Sequence, residues 1–353
     1  MIAQLQEEAL ELLKNLIQTE SFSKEEDETA VLLFQWLEGN GIQVKRDLNN
    51  VWAVNKYFDA SKPTILLNSH HDTVKPNAAY TRNPFSPEIE DGKLFGLGSN
   101  DAGGCLVGLI ATFTYFYDKK DLKYNFVLAA TAEEENSGEN GIAFMLPILP
   151  KIDFAIVGEP TLLDLAIAEK GLVVFDGTVT GTPGHAAHIK NSENPIFKAL
   201  KDLEWLNTYK FPKISDALGE VKMTVSQINA GKQHNVVPSE LKFVVDCRVT
   251  DSYTNKEIAE IIAKNTDCDI QPRSLRLNSS SIDPNHEIVK AGIRMGKKTY
   301  GSPTLSDQSR LTCQSLKLGP GNSLRSHSAD EFIYVEEVKE GVQFYISLLE
   351  EIV

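Results

Sequence analysis

Between Val51 and Val157 the chain alternates short β-rich apolar runs with segments of helical spacing, and few folds accept that rhythm. The runs are Val51 to Tyr57, Thr64 to Asn68, Asn125 to Ala130 and Phe154 to Val157. Before them, apolar residues recur at helical intervals in Leu10-Leu13-Ile17 and in Ala30-Leu33-Trp36-Leu37. Asp101 to Tyr117, between the second and third runs, is apolar enough for a buried helix. Runs that are apolar on both faces need cover on both faces. The pattern therefore predicts an α/β fold, a mixed central sheet sandwiched by helices.

The rhythm changes near Gly171. Leu172 to Thr180 reads as a strand, Pro195 to Asn207 as a helix, and Val221 to Ile228 and Leu241 to Thr250 as strands. Thr254 to Lys264 reads as a helix and Cys268 to Leu277 as a last strand. The order β-α-β-β-α-β is that of the split βαβ, or ferredoxin-like, unit. The polar run Asn278-Ser279-Ser280-Ser281 then marks a crossing back, and a helix over Val335 to Ile352 resumes the first pattern. Residues 172–278 are thus expected as an α+β domain inserted into a larger one made of 1–171 and 279–353. A length of 353 residues accommodates both, at about 100–200 residues per domain.

Composition excludes some functions. The net charge of −14 argues against a nucleic-acid partner, which needs a basic face for phosphates. No apolar run approaches the ~18–20 residues that span a bilayer, so no membrane partner is expected. The Glu- and Leu-rich start, Met1 to Lys14, lacks the basic and apolar regions of a signal peptide, and the expected address is cytoplasmic. Cys105, Cys247, Cys268 and Cys313 form no CxxC pair and read as small buried hydrophobes.

Several catalytic signatures are missing: no GxSxG elbow, no HExxH, no P-loop. Gly96-Leu97-Gly98 begins like a dinucleotide fingerprint, but Asp101 stands where its third glycine belongs. What remains is a series of acidic and histidine residues at or just beyond the carboxyl ends of the expected strands: His70 and Asp72, Asp101, Glu133-Glu134-Glu135, and Glu159. Taken singly, each has an ordinary reading. His-x-Asp is commonly surface polarity, a glutamate triplet a helix start, an aspartate before a helix its N-cap, and Glu159-Pro160 a turn. Open α/β sheets collect ligands at the carboxyl ends of their strands, and four coincidences at equivalent places favour a metal site. His327, in Ser326-His327-Ser328-Ala329-Asp330, joins them if the C-terminal segment folds back.

As an ordered set, His70-x-Asp72, Gly96-x-Gly98-x-x-Asp101, Glu134-Glu135, Gly158-Glu159-Pro160, Gly184-His185 and His327 resemble the zinc aminoacylase/carboxypeptidase family, peptidase family M20. The resemblance covers nearly the whole chain and is nearest to acetylornithine deacetylase-like members. It implies that His70, Asp101 and Glu159 hold one divalent ion and that Asp101, Glu135 and His327 hold a second, with Asp101 bridging. Zn²⁺ suits two histidines and three carboxylates, and Co²⁺ would substitute. Glu134 would be the general base, and Asp72 would orient His70. The inserted domain would be a lid and the interface of a homodimer, with His185 stabilising the oxyanion and Asn235 and Arg248 contacting the substrate.

The activity so implied is removal of an acetyl or succinyl group from an N-acyl amino acid, such as acetylornithine or acetyl- or succinylcitrulline in arginine biosynthesis. A water activated between the metals would attack. Succinyl-diaminopimelate desuccinylase, a di- or tripeptidase, and a non-catalytic metal-binding homologue are the alternatives. The chain departs from the family wording at Ala102-Gly103-Gly104 after the bridging aspartate, at Leu97 where arginine is frequent, and at Glu133 where aspartate is common. None of these removes a ligand.

Overall fold

The run beginning at Thr64 forms the strand Thr64–His70, buried at every residue. Strand side chains alternate between two faces, so complete burial demands cover on both. The structure, a computed structural model describing every residue from Met1 to Val353, supplies it with helices on either side of one mixed sheet. From one edge the strands run Val44–Asp47, Asn50–Val54, Asn125–Thr131, Thr64–His70, Phe154–Val157, Gln314–Lys317 and Leu165–Glu169. The four from 125–131 to 314–317 are mutually parallel, and the flanking pairs are antiparallel. Parallel neighbours bring their carboxyl ends to the same edge of the sheet, which is where the candidate ligands begin.

The expected helix at 101–117 starts later, at Gly104, and ends at Phe116. It is apolar around nearly its whole circumference because it lies between the sheet and two further helices, Ile2–Gln18 and Val335–Glu350. Gly104 lets the strand Phe332–Tyr334 pack against the first turn of this helix: a Cβ there would stand 2.4 Å from the Ile333 side chain. On the other face, Trp52, Leu66, Val127, Ala129 and Ala155 pack with Ile142 and Met145 of the short helix Ile142–Met145.

Contacts divide the chain into two units, one of residues 1–167, 281–300 and 306–353, the other of 168–280 with 301–305. The second unit has an antiparallel sheet in the order Lys222–Ala230, Glu240–Val249, Gly171–Thr180, Asp269–Pro272. With helices Pro195–Thr208 and Asn255–Asn265 this is the β-α-β-β-α-β order. Both helices begin on strong local signals. Asn194 accepts from the Ile196 amide with Pro195 in the first turn, and Thr254 forms a capping box with Glu257. Along Gly171–Thr180 and Glu240–Val249 burial alternates strictly, and Val173, Phe175, Phe243, Val245 and Cys247 form the core under the helices. The last strand ends at Pro272, short of Leu277, although the Arg273 amide still donates to the Val174 carbonyl at 2.8 Å. Residues 301–305 belong to this unit through Gly301, where a Cβ would stand 2.1 Å from the Ala217 carbonyl oxygen. No helix is long and apolar enough to cross a membrane.

Candidate active site

Three adjacent parallel strands deliver the first candidates. His70 is the last residue of its strand, Glu134 and Glu135 follow the strand ending at Thr131, and Glu159 follows the strand ending at Val157. Asp101 lies in the single turn Ser99–Gly103 ahead of the buried helix, so it is not that helix's N-cap. His327 sits just past the turn Ser323–Arg325 with a positive φ of 57°.

These residues converge. Ligand-capable atoms of His70, Asp101 and Glu159 lie within 4.8 Å of one another, and so do those of Asp101, Glu135 and His327. Asp101 belongs to both groups. His70 Nε2 is 3.4 Å from Asp101 and 3.8 Å from Glu159, while Glu134 stands 4.0 Å from the same nitrogen without joining either group. His327 Nε2 is 2.9 Å from Glu135 and 3.5 Å from Asp101.

Asp72 organises the ring of His70 through its carbonyl as well as its carboxylate. The strand ends at His70, the chain turns, and His70 Nδ1 donates to the Asp72 carbonyl oxygen at 2.9 Å, with the carboxylate at 3.3 Å. A carbonyl only accepts, so Nδ1 donates and Nε2 is left as the ligand atom. The Asp72 carboxylate meanwhile receives the amides of Glu134 at 3.0 Å and Glu135 at 3.1 Å and the Ser23 hydroxyl at 2.7 Å. One carboxylate thus ties the His70 turn to the backbone that presents both glutamates. Glu133 does not share their direction: its side chain receives Asn140. His71 is turned from the cluster, with Nδ1 2.9 Å from the Thr29 hydroxyl and Nε2 2.8 Å from the Asn49 carbonyl.

Burial raises the pKa of Glu134 well above the usual carboxylate value, and burial with the Asp101 charge pushes Glu159 up to about 8. Burial also raises Glu135, against the pull of its His327 hydrogen bond. For His70, burial opposes ionisation, yet the nearby carboxylates of Asp101, Asp72 and Glu134 raise its pKa well above that of a free imidazole. The Glu135 hydrogen bond raises His327 to about 9. Imidazoles and carboxylates this close hold protons between them, and metal binding exchanges those protons for a cation, because the ligand atoms must be bare.

The residues fit a metal pair. Buried His70 Nε2 has no hydrogen-bond partner and faces two carboxylates, and the donors are imidazole nitrogens and carboxylate oxygens, the set that suits borderline divalent ions.

Residues 66–351 match the family model Peptidase family M20/M25/M40. The chain belongs to that family. As an M20 protein it is a metal-dependent hydrolase of amide bonds. It is 26% identical over 377 residues to the succinyl-diaminopimelate desuccinylase of Psychromonas ingrahamii, covering 97% of this chain and 98% of that protein. It is 27% identical over 362 residues to the [LysW]-lysine/[LysW]-ornithine hydrolase of Saccharolobus solfataricus, covering 99% and 97%. Its fold matches the YXEP protein of Bacillus subtilis, described as a dinuclear metal-binding M20 peptidase. The TM-score is 0.73 at 16% identity, with 98% of each chain covered.

The remaining sequence candidates lie in the second unit. His185, in the two-residue bridge Gly184–His185, pairs with Val236, and the Ala186 amide donates to the Asn235 carbonyl at 2.9 Å, so His185 and Asn235 are exposed neighbours. The His188 ring lies 5.6 Å from that of His185. Arg248 is partly engaged within its own strand, donating from Nε and Nη2 to Asp246 at 2.9 and 3.1 Å. That pairing follows from the two-residue strand period and was readable in Asp246-x-Arg248.

Two buried carboxylates near the cluster escaped the sequence reading. Asp307 accepts the Thr131 hydroxyl at 2.7 Å, and burial raises its pKa to about 6. Glu331 meets the turn that carries Asp101. Neither sits at the end of a recognisable strand, and the partners of each are far away in sequence.

Proposed function

We propose that the chain is a di-zinc hydrolase that removes an acetyl or succinyl group from an N-acyl amino acid, with an ornithine or citrulline conjugate as the expected substrate. The observation that carries this reading is Asp101, common to two three-residue groups, with Glu134 4.0 Å from His70 and in neither group. In this reading His70, Asp101 and Glu159 hold one ion and Asp101, Glu135 and His327 the other. Bound there, the ions would polarise an amide carbonyl and lower the pKa of water.

The chain's own residues supply the rest. Glu134 takes the proton from the attacking water and passes it to the leaving amine nitrogen. Asp72 holds the Glu134 amide and receives the His70 ring, so base and ligand keep a constant relation. His185 donates to the developing oxyanion. Arg248 and Asn235 take the substrate carboxylate, Arg248 with the part of its guanidinium not directed at Asp246.

The two curated relatives favour a second reading, because their names specify a succinyl-diaminopimelate and a lysine or ornithine conjugate. One assay separates the readings. The Zn²⁺- or Co²⁺-loaded protein is offered acetylornithine, acetylcitrulline, their succinyl counterparts, succinyl-diaminopimelate and a set of di- and tripeptides. Cleavage of an ornithine or citrulline conjugate is expected. Preference for succinyl-diaminopimelate or for peptides replaces this substrate assignment, and a two-metal protein that cleaves none of them refutes it. Glu134→Gln is expected to lower kcat by about 10²–10⁴-fold while metal analysis still finds two ions. Full activity in that variant would remove Glu134 from the role of base.

A further inference from the structure

Of the five candidate ligands, His70, Glu135 and Glu159 are placed by strands of the central sheet, whereas Asp101 and His327 lie on turns. Something other than the sheet must hold these two in register. The side chain that does so is Glu331, only 1% exposed. One carboxylate oxygen accepts the amides of Asn100 and Asp101, each at 2.9 Å, and the other accepts the amide of Gly98 at 3.2 Å. Its own carbonyl accepts from Gly96 at 3.0 Å. The turn that presents Asp101 is therefore wrapped around one glutamate, four residues beyond His327.

A second strap joins the same two segments. The buried Asn100 side chain accepts the Asn322 amide at 3.0 Å and donates to the Asn322 carbonyl at 3.1 Å, which ties the Asp101 turn to the segment leading into His327. Gly321 makes room for it, since a Cβ there would stand 2.5 Å from the Asn100 carboxamide oxygen, on a backbone with φ of +84°.

We infer that Glu331 is a positioning residue for the metal pair, setting the bridging Asp101 against His327 through the backbone of both turns. The inference rests on the two-metal reading above. It also assigns the two positions different sensitivities. The group His70, Asp101, Glu159 keeps two ligands on the sheet if the strap loosens. The group Asp101, Glu135, His327 keeps only one.

Stepwise titration of the metal-free protein with Co²⁺, followed by absorption and calorimetry, tests this with a readout independent of turnover. In Glu331→Gln one acceptor oxygen becomes an NH₂ group facing backbone N–H. The first equivalent is expected to bind within a few-fold of the unsubstituted protein and the second about 10–100-fold more weakly, with the metal-free melting temperature shifted by only a few degrees. Unchanged binding of both equivalents overturns the inference, including when melting alone is affected, for then Glu331 is merely structural. An unsubstituted protein that fails to bind two equivalents instead overturns the metal reading itself. If Glu331→Gln does not fold, Asn100→Ala cuts the second strap, and the same weakened second equivalent is expected. Wild-type binding there counts equally against the inference.

Discussion

Two consecutive histidines close the strand Thr64–His70 in opposite surroundings. His70 faces four carboxylates, while His71 is wedged between the Thr29 hydroxyl and the Asn49 carbonyl, where burial lowers its pKa to about 4 and keeps it neutral. His71→Ala takes the ring donor from the half-buried Asn49 carbonyl, at about 1–3 kcal/mol, while the Thr29 hydroxyl keeps the Glu26 carbonyl. It is expected to lower the denaturant midpoint while metal analysis still finds two ions. His70→Ala is expected to lose one ion. A His71 variant that lost metal with its fold intact would reverse the two roles. Alternation along a strand is legible in a sequence and turns consecutive rings to opposite sides. How Asp72 reaches His70 is not legible there, because alternation ends with the strand.

At the scale of elements, the sheet of the second unit depends on a pairing that no single strand reveals. Gly177 lies opposite Phe243, and a Cβ on Gly177 would stand 2.2 Å from the Phe243 ring. Gly177→Ala is expected to destabilise this unit by about 1–3 kcal/mol through overpacking, seen as a lower unfolding midpoint. An unshifted midpoint would mean that the ring moves aside freely. The strands and helices of this unit were themselves legible in the sequence as runs of strand and helix character. The requirement for glycine at 177 was hidden, because register is set between strands that lie far apart in the chain.

For the whole molecule, we propose a homodimer through the second unit, in which His185 serves the neighbouring subunit's site. Co-expression of Glu134→Gln with His185→Ala tests it, since a mixed dimer then holds one complete site. Recovery of up to about a quarter of wild-type turnover is expected, since half of randomly paired dimers are mixed and each holds one complete site of two, whereas activity no greater than that of the parents would place His185 in its own subunit's chemistry. Metal should also stabilise the fold, because ions that bind only the native state add about 2.7 kcal/mol at a hundredfold excess over Kd. Chelation is therefore expected to lower the melting temperature, and Zn²⁺ to restore it. An unchanged melting temperature would mean that the carboxylate cluster holds no cation in solution.

By itself the sequence determined the periodicities: two-faced apolar strands that demand helices on both sides, a β-α-β-β-α-β insertion, and acidic and histidine residues at strand ends. These are local properties, set by side-chain chemistry at fixed spacings. Only the tertiary structure decided which distant turns meet. Asp101 and His327 come together because Glu331 and Asn100 bond to backbone amides, and a backbone amide has no signature in a sequence. The boundary of the second unit at 301–305 has the same origin, since Gly301 takes its place by the closeness of a carbonyl more than eighty residues away.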